Sequence, residues 1–281
     1  MGLSALGIIA QQAFMNLVDA GPSEIEYVGG KTFATNSTYS EVTFTGLTGG
    51  IQSSPSVGDF FIIVVSGRSN GTYYPGLSAV GMIRKYSGTA DDISDVGITI
   101  GYGFYEEASA GSITYGGGTE AIVQVNVYRG VDPTSPMDSS PTGFNMAVDS
   151  NSPDPLPILP INDKSRIIVI GAASNNNGAD YTAPAGTTLK TADSVTAASA
   201  LVDRVWNTGE GVFDPPTFVG TGSATNSSSG AFTMVLRPEG SPERHPLNIS
   251  RLGSYVIRNP TPNNLVFSLK GYLIHNQIIS N

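Results

Sequence analysis

The apolar runs in this chain are short and densely β-branched. Phe60-Phe61-Ile62-Ile63-Val64-Val65, bounded by Gly58-Asp59 and Gly67, is too brief for a buried helix and predicts a strand. Arg166-Ile167-Ile168-Val169-Ile170-Gly171-Ala172 is apolar on both faces and predicts a central strand. In 120–128, Ala121, Val123, Val125 and Val127 alternate with Glu120, Gln124, Asn126 and Tyr128, the two-residue period of a strand with one wet face. With 59–66, 120–128 and 165–173, the same reading places strands at 25–28, 41–45, 78–86, 96–105, 112–115, 199–206 and 230–236. Gly-, Asn-, Ser- and Pro-rich turns separate them, and no helical period survives between Pro55 and Pro238. The pattern predicts an all-β fold, a two-sheet antiparallel β-sandwich.

Two flanking segments depart from that rhythm. Leu6, Ile9, Ala10, Ala13, Phe14 and Leu17 recur at helical spacing, with Ser4 placed to cap the start and Gly21-Pro22 to end it. Such a helix spans about 22 Å, short of the roughly 30 Å hydrocarbon core of a bilayer, and no Lys or Arg precedes it as in a secretory leader. It reads as an amphipathic segment packed on the body or inserted into a neighbour. At the other end, runs 247–258 and 264–279 flank the turn signal Asn259-Pro260-Thr261-Pro262-Asn263-Asn264, which predicts a C-terminal β-hairpin arm. Leu265, Phe267, Leu269 and Leu273 share one of its faces. A lone hairpin is marginal in water, so this arm is expected to pack on a sheet edge or a symmetry mate.

Prolines at 133, 136, 141, 153, 155, 157 and 160 make 131–160 a long crossover lying over the sandwich. The expected organisation is an N-terminal helical anchor over 1–24, a β-sandwich domain over 25–238 and an extended or hairpin arm over 239–281. Leu6, Ile9, Phe14, Leu17, Leu265, Phe267 and Leu269 are its assembly contacts.

Composition narrows the chemistry. The net charge of −9 divides into an acidic body, with 10 basic against 21 acidic residues through position 237, and a basic tail, with 4 against 2. An acidic body disfavours nucleic acid, which demands a basic stripe. Charged residues make up only 13% of the chain, about half the usual share, as expected of a surface that is largely neutral polar or is covered by partner chains. With no cysteine, disulfide staples and thiolate metal sites are excluded.

Catalytic patterns are weak. The two histidines, His245 and His275, fall in the tail without a Ser-His-Asp setting. Gly29-Gly30-Lys31-Thr32 lacks the upstream glycine of a phosphate loop, and Glu106 and Glu107 are adjacent, so on a strand they point to opposite faces rather than flanking one glycosidic bond. Asp91, Asp92 and Asp95 gather three carboxylates suited to calcium, although turns require the same residues without a metal. Tyr73, Tyr74 and Tyr181 fall in loops, where an aromatic ring with a polar handle can stack on a sugar or a receptor.

Three ordered landmarks carry a family likeness: Ser54-Pro55-Ser56-Val57-Gly58-Asp59 opening the first apolar run; Val127-Tyr128-Arg129-Gly130-Val131-Asp132-Pro133 with Pro136-Met137-Asp138; and Ala231-Phe232-Thr233-Met234-Val235-Leu236-Arg237-Pro238. Over roughly 42–238 the chain resembles a β-sandwich module of structural proteins from tailed bacteriophages and prophages. The resemblance implies a lectin-like, jelly-roll-like fold and a non-enzymatic virion component on the tail tip, tail fibre or head surface. The landmarks read as scaffold, with Arg129 expected to tie down the crossover through Asp132, three residues on.

The functional expectation is therefore a virion structural protein, assembled in the host cytoplasm and displayed on the tail tip or fibre. It is expected to be a homo-oligomer that holds other virion proteins through its two arms and contacts a host surface glycan, with neither nucleic acid nor membrane as partner. A head-decoration protein and a carbohydrate-binding adhesin are the alternatives, and a glycoside hydrolase is the least favoured.

Overall fold

The computed structural model describes residues 22–35, 39–69, 75–90, 95–107, 110–114, 118–174, 181–194, 197–220 and 227–242. Within these the chain is all-β, with no helix. In chain order the strands are β1 (Glu26–Thr35), β2 (Tyr39–Val42), β3 (Phe60–Ser69), β4 (Gly76–Ala79), β5 (Met82–Ala90), β6 (Asp95–Phe104), β7 (Gly111–Thr114), β8 (Gly118–Arg129), β9 (Met137–Ser139), β10 (Asn145–Val148), β11 (Arg166–Ala173), β12 (Thr188–Ser194), β13 (Ala198–Val205) and β14 (Ser228–Leu236).

They form three antiparallel sheets. The first runs β1-β8-β3-β6-β5; the second runs β10-β14-β11-β13-β12, with β9 also on β14; the third is the short array β2-β7-β4. The two larger sheets pack face to face. Phe60, Ile62, Val64, Ile98, Ile100 and Tyr128 of the first meet Ile168, Ile170, Leu201, Phe232, Met234 and Leu236 of the second in one continuous core.

The opposite faces are covered as well. Phe61, Ile63, Val65, Val123, Val125 and Val127 lie against Val42, Phe44, Leu47, Leu77 and Ile113 from the small sheet and the loop after β2. Ile167, Val169, Ala200, Val202 and Val235 are covered by Ile158, Tyr181, Trp206 and Phe218 from connections. This layering explains why β3 and β11 read as unbroken apolar runs: alternate side chains enter two different cores. As expected, β11 is central, between β14 and β13.

Several expectations are corrected. The stretch 78–86 is not one strand: Gly81, at φ +79°, turns the chain between β4 in the small sheet and β5 at the edge of the large one. The crossover at 131–160 contributes two strands, β9 and β10, which occupy gaps between its prolines and pair on the same edge of β14. The edge strand β12 has the polar sequence TLKTADS, which carries no apolar alternation to reveal it.

The alternation in β8 also has another meaning. Gln124 and Asn126 are fully buried, facing the second sheet rather than water. The Tyr27 hydroxyl donates to Asn126 Oδ1 at 2.9 Å, and Asn126 Nδ2 donates to Thr191 Oγ1 at 2.9 Å. Gln124 Nε2 donates to the carbonyl of Ser199 at 3.0 Å. Beside them the Tyr128 hydroxyl donates to Asp203 Oδ2 at 3.3 Å, and Arg166 Nε reaches the same oxygen at 2.9 Å. A seam of polar bonds thus runs through the interface between the sheets, where hydrogen bonding offsets the cost of removing these groups from water.

The compact unit extends to Pro242. The expected helix with Leu6, Ile9, Phe14 and Leu17, and the hairpin with Leu265, Phe267 and Leu269, lie outside the described residues.

Candidate functional site: the pole where the landmarks meet

Register places the starts of β1, β3 and β11 and the ends of β6, β8, β13 and β14 at one end of the sandwich. Glu26 pairs with Arg129, Phe60 with Phe104 and Tyr128, and Arg166 with Val205 and Leu236. All three sequence landmarks meet at this pole.

The first landmark folds into a turn through its own hydrogen bonds. Gly58 adopts φ +91°, a conformation that favours glycine, and the Ser56 amide donates to Asp59 Oδ2 at 2.7 Å. This presents the Asp59 carboxylate to Arg129, which donates to it from Nε and from its guanidinium NH2, each at 2.9 Å. The same NH2 also reaches Gln52 Oε1 at 2.8 Å and Ser56 Oγ at 3.1 Å. The bonds to Asp59 raise the Arg129 pKa above its ordinary value. The expected Arg129–Asp132 tie is thereby corrected: Arg129 belongs to Asp59, and Asp132 serves the third landmark.

Asp132 accepts from the Thr134 hydroxyl at 2.8 Å and from the Thr134 and Ser135 amides, and it lies 3.4 Å from Arg237 Nε. Burial alone would raise its carboxyl, but these hydrogen bonds and the Arg237 charge outweigh burial and hold it below the usual carboxylate range. The buried Arg237 in turn donates to the carbonyls of Ser241, at 3.1 Å, and Pro242, at 2.6 Å. Asp138 accepts from the amides of Ile161 and Asn162 and from the Asn162 side chain, which clips the end of the crossover to β9.

These contacts bring the first and last described residues together. The Glu239 amide donates to the carbonyl of Gly130 at 2.8 Å, and the Glu239 carbonyl accepts from both the Ser23 amide and the Ser23 hydroxyl, each at 3.0 Å. Lys164 Nζ donates to the carbonyl of Pro22 at 3.2 Å. Pro22 and Pro242, the first and last described residues, therefore lie on the same shelf. Chemically the shelf is a set of ion pairs and caps.

The other residues singled out from sequence are scattered. Tyr181 is only 5% exposed and packs on Phe218 at 5.5 Å between ring centroids, so its ring is core rather than a stacking platform, and burial pushes its phenol up. Asp95 begins β6 with its side chain buried. Asp91, Asp92, Tyr73 and Tyr74 lie outside the described residues. Among the described residues no group of three or more His, Asp or Glu side chains converges as a metal site would require.

Sequence reasoning passed over a feature of the small sheet: a shallow depression of about 400 Å³ lined by Tyr39, Glu41, Ser78, Val80, Ala110 and Ser112, among others. Its signal was faint, because each four-residue strand shows only two outward positions. Comparison with family models, with curated proteins and with solved structures returns no match.

Proposed function

We propose that the chain is a non-enzymatic structural protein of a phage-type particle, a jelly-roll-like sandwich displayed at the tail tip or fibre and held through its two terminal arms. The observation that carries this reading is the hydrogen bonding of Ser23 to Glu239, which sets the segments next to 1–21 and 243–281 side by side. A module whose two tethers share one pole can be fixed to a neighbour there while its remaining surface stays free. The clustering of the three landmarks at that pole supports the same reading, since they lock the chain where the arms begin. The segment 1–24 is read as a helical anchor and 239–281 as a hairpin arm. Partner contact is assigned to Leu6, Ile9, Phe14, Leu17, Leu265, Phe267 and Leu269, and the particle, assembled in the host cytoplasm, is the place of action.

Truncation tests this directly. Removing 1–20 or 243–281 should leave a soluble sandwich with the near-ultraviolet dichroism of the full chain, yet abolish incorporation into particles or oligomers. Normal incorporation of both truncated chains would overturn the proposal.

A further inference from the structure

The outward face of the small sheet presents two cross-strand rows. Glu41 pairs with Ser112, which pairs with Ser78; Tyr39 pairs with Thr114, which pairs with Gly76. The inward face of the same strands, with Val42, Ile113 and Leu77, is committed to the core beneath, so the outward rows are held on a rigid support. Tyr39 is 62% exposed, and Val80 stands exposed at the opposite rim. Between them lie a carboxylate and two hydroxyls.

The hydrogen-bonding capacity of this floor is not exhausted. Ser78 Oγ and Ser112 Oγ are 2.9 Å apart and share one bond, which uses one hydroxyl as donor and leaves the other hydroxyl's proton free to donate outward. Glu41 lies on the exposed surface as an acceptor-only group. A Cβ at position 76 would stand 2.1 Å from Thr114 Oγ1, which would have to turn aside, and its absence keeps the row beside Tyr39 low.

We infer that this depression binds a neutral pyranose. Such a ring has an apolar C–H face and a rim of hydroxyls. Tyr39 offers a flat ring for the face, Glu41 accepts from a pair of hydroxyls, and the Ser78–Ser112 pair gives and takes one more bond. A volume of about 400 Å³ lies at the small end of the range for ligand sites, suited to one or two sugar rings. The carboxylate opposes acidic sugars, which selects neutral glycans. A peptide added as an extra strand is a poorer occupant, because the free edges β2 and β4 are only four residues long.

The inference rests on the display reading for the source of the glycan, a cell surface. Its test is a printed array of neutral and sialylated oligosaccharides probed with the full chain and with Y39A and E41Q. The expected result is retention on neutral glycans only, at least tenfold weaker for Y39A and several-fold weaker for E41Q. Unaltered thermal midpoints would establish that the variants fold. No retention of wild type on any neutral glycan, or full retention of Y39A, would overturn the site. Particle incorporation measured on the same variants separates the two readings: Y39A should assemble normally, and glycan binding that survives in a chain indifferent to loss of its arms would sink display alone.

Discussion

Arg129 holds Asp59 in a two-pronged grip, Nε to one carboxylate oxygen and NH2 to the other, across seventy residues of sequence. The pair joins the end of β8 to the turn that opens β3. Its two ends differ in environment: the Asp59 side chain is 4% exposed and that of Arg129 is 32% exposed. Arg129→Met should therefore cost more than Asp59→Asn, because it leaves a buried carboxylate without its cation. About 3 kcal/mol is expected for the first and about 1.5 kcal/mol for the second, whose amide oxygen still accepts. Urea unfolding of both singles and the double would check this, with the double losing less than the sum. Strict additivity would mean that the two residues are not coupled.

The seam between the sheets makes a second prediction. Asn126→Leu would strand the Tyr27 hydroxyl and the Thr191 hydroxyl inside the interface. A loss of about 2 to 3 kcal/mol is expected in the same assay, since two buried groups lose a partner at once. A neutral or stabilising effect would mean that the seam adds nothing to stability.

The split between β4 and β5 depends on Gly81. At φ +79° a side chain is strained, and a Cβ would stand 2.1 Å from the carbonyl oxygen of Phe104. Gly81→Ala should lower stability by about 2 kcal/mol or more from backbone strain and crowding together. The change would be read as a lower thermal midpoint with the sheet content unchanged in far-ultraviolet dichroism.

Alkaline pH should unfold this protein through its buried tyrosines. Burial, followed by the nearby Asp203 charge, raises Tyr27 and Tyr128, and burial also leads the rise at Tyr102 and Tyr181. The folded state thus holds these protons more tightly than the unfolded chain does. The resulting stability is fully present below the ordinary phenol value of 10.0 and is lost as pH rises beyond it. Phenolate absorbance should show Tyr27, Tyr102, Tyr128 and Tyr181 ionising only together with the loss of near-ultraviolet dichroism. A single transition of all 12 tyrosines at 10.0 in a folded chain would contradict this.

What was legible in the sequence was local. The apolar run at Phe60–Val65, the apolar strand at 166–172 and the alternation through Val123, Val125 and Val127 each declared a strand, because side-chain period and turn residues act within a few positions. All-β architecture followed from them. The edge strand β12 and the short strands β9 and β10 escaped, since their definition comes from the neighbour they pair with rather than from their own polarity.

The candidate sites were legible only in part. The landmarks at 54–59, 127–133 and 231–238 stood out as segments, yet the bonds that join them did not. Proximity in sequence suggested Asp132 for Arg129; topology supplied Asp59. Tyr39, Glu41, Ser78 and Ser112 come from three separate strands, and nothing local marks them as one surface.

By itself, the sequence determined that the chain makes strands, roughly where the strongest of them lie, and that each has two distinct faces. Only the tertiary structure decided what each face meets: a second sheet for Gln124 and Asn126, a covering layer for Phe61 and Ile63, the core rather than a ligand for Tyr181. Period-two alternation records a difference between two environments but not their identity, which sheet packing and long-range register assign.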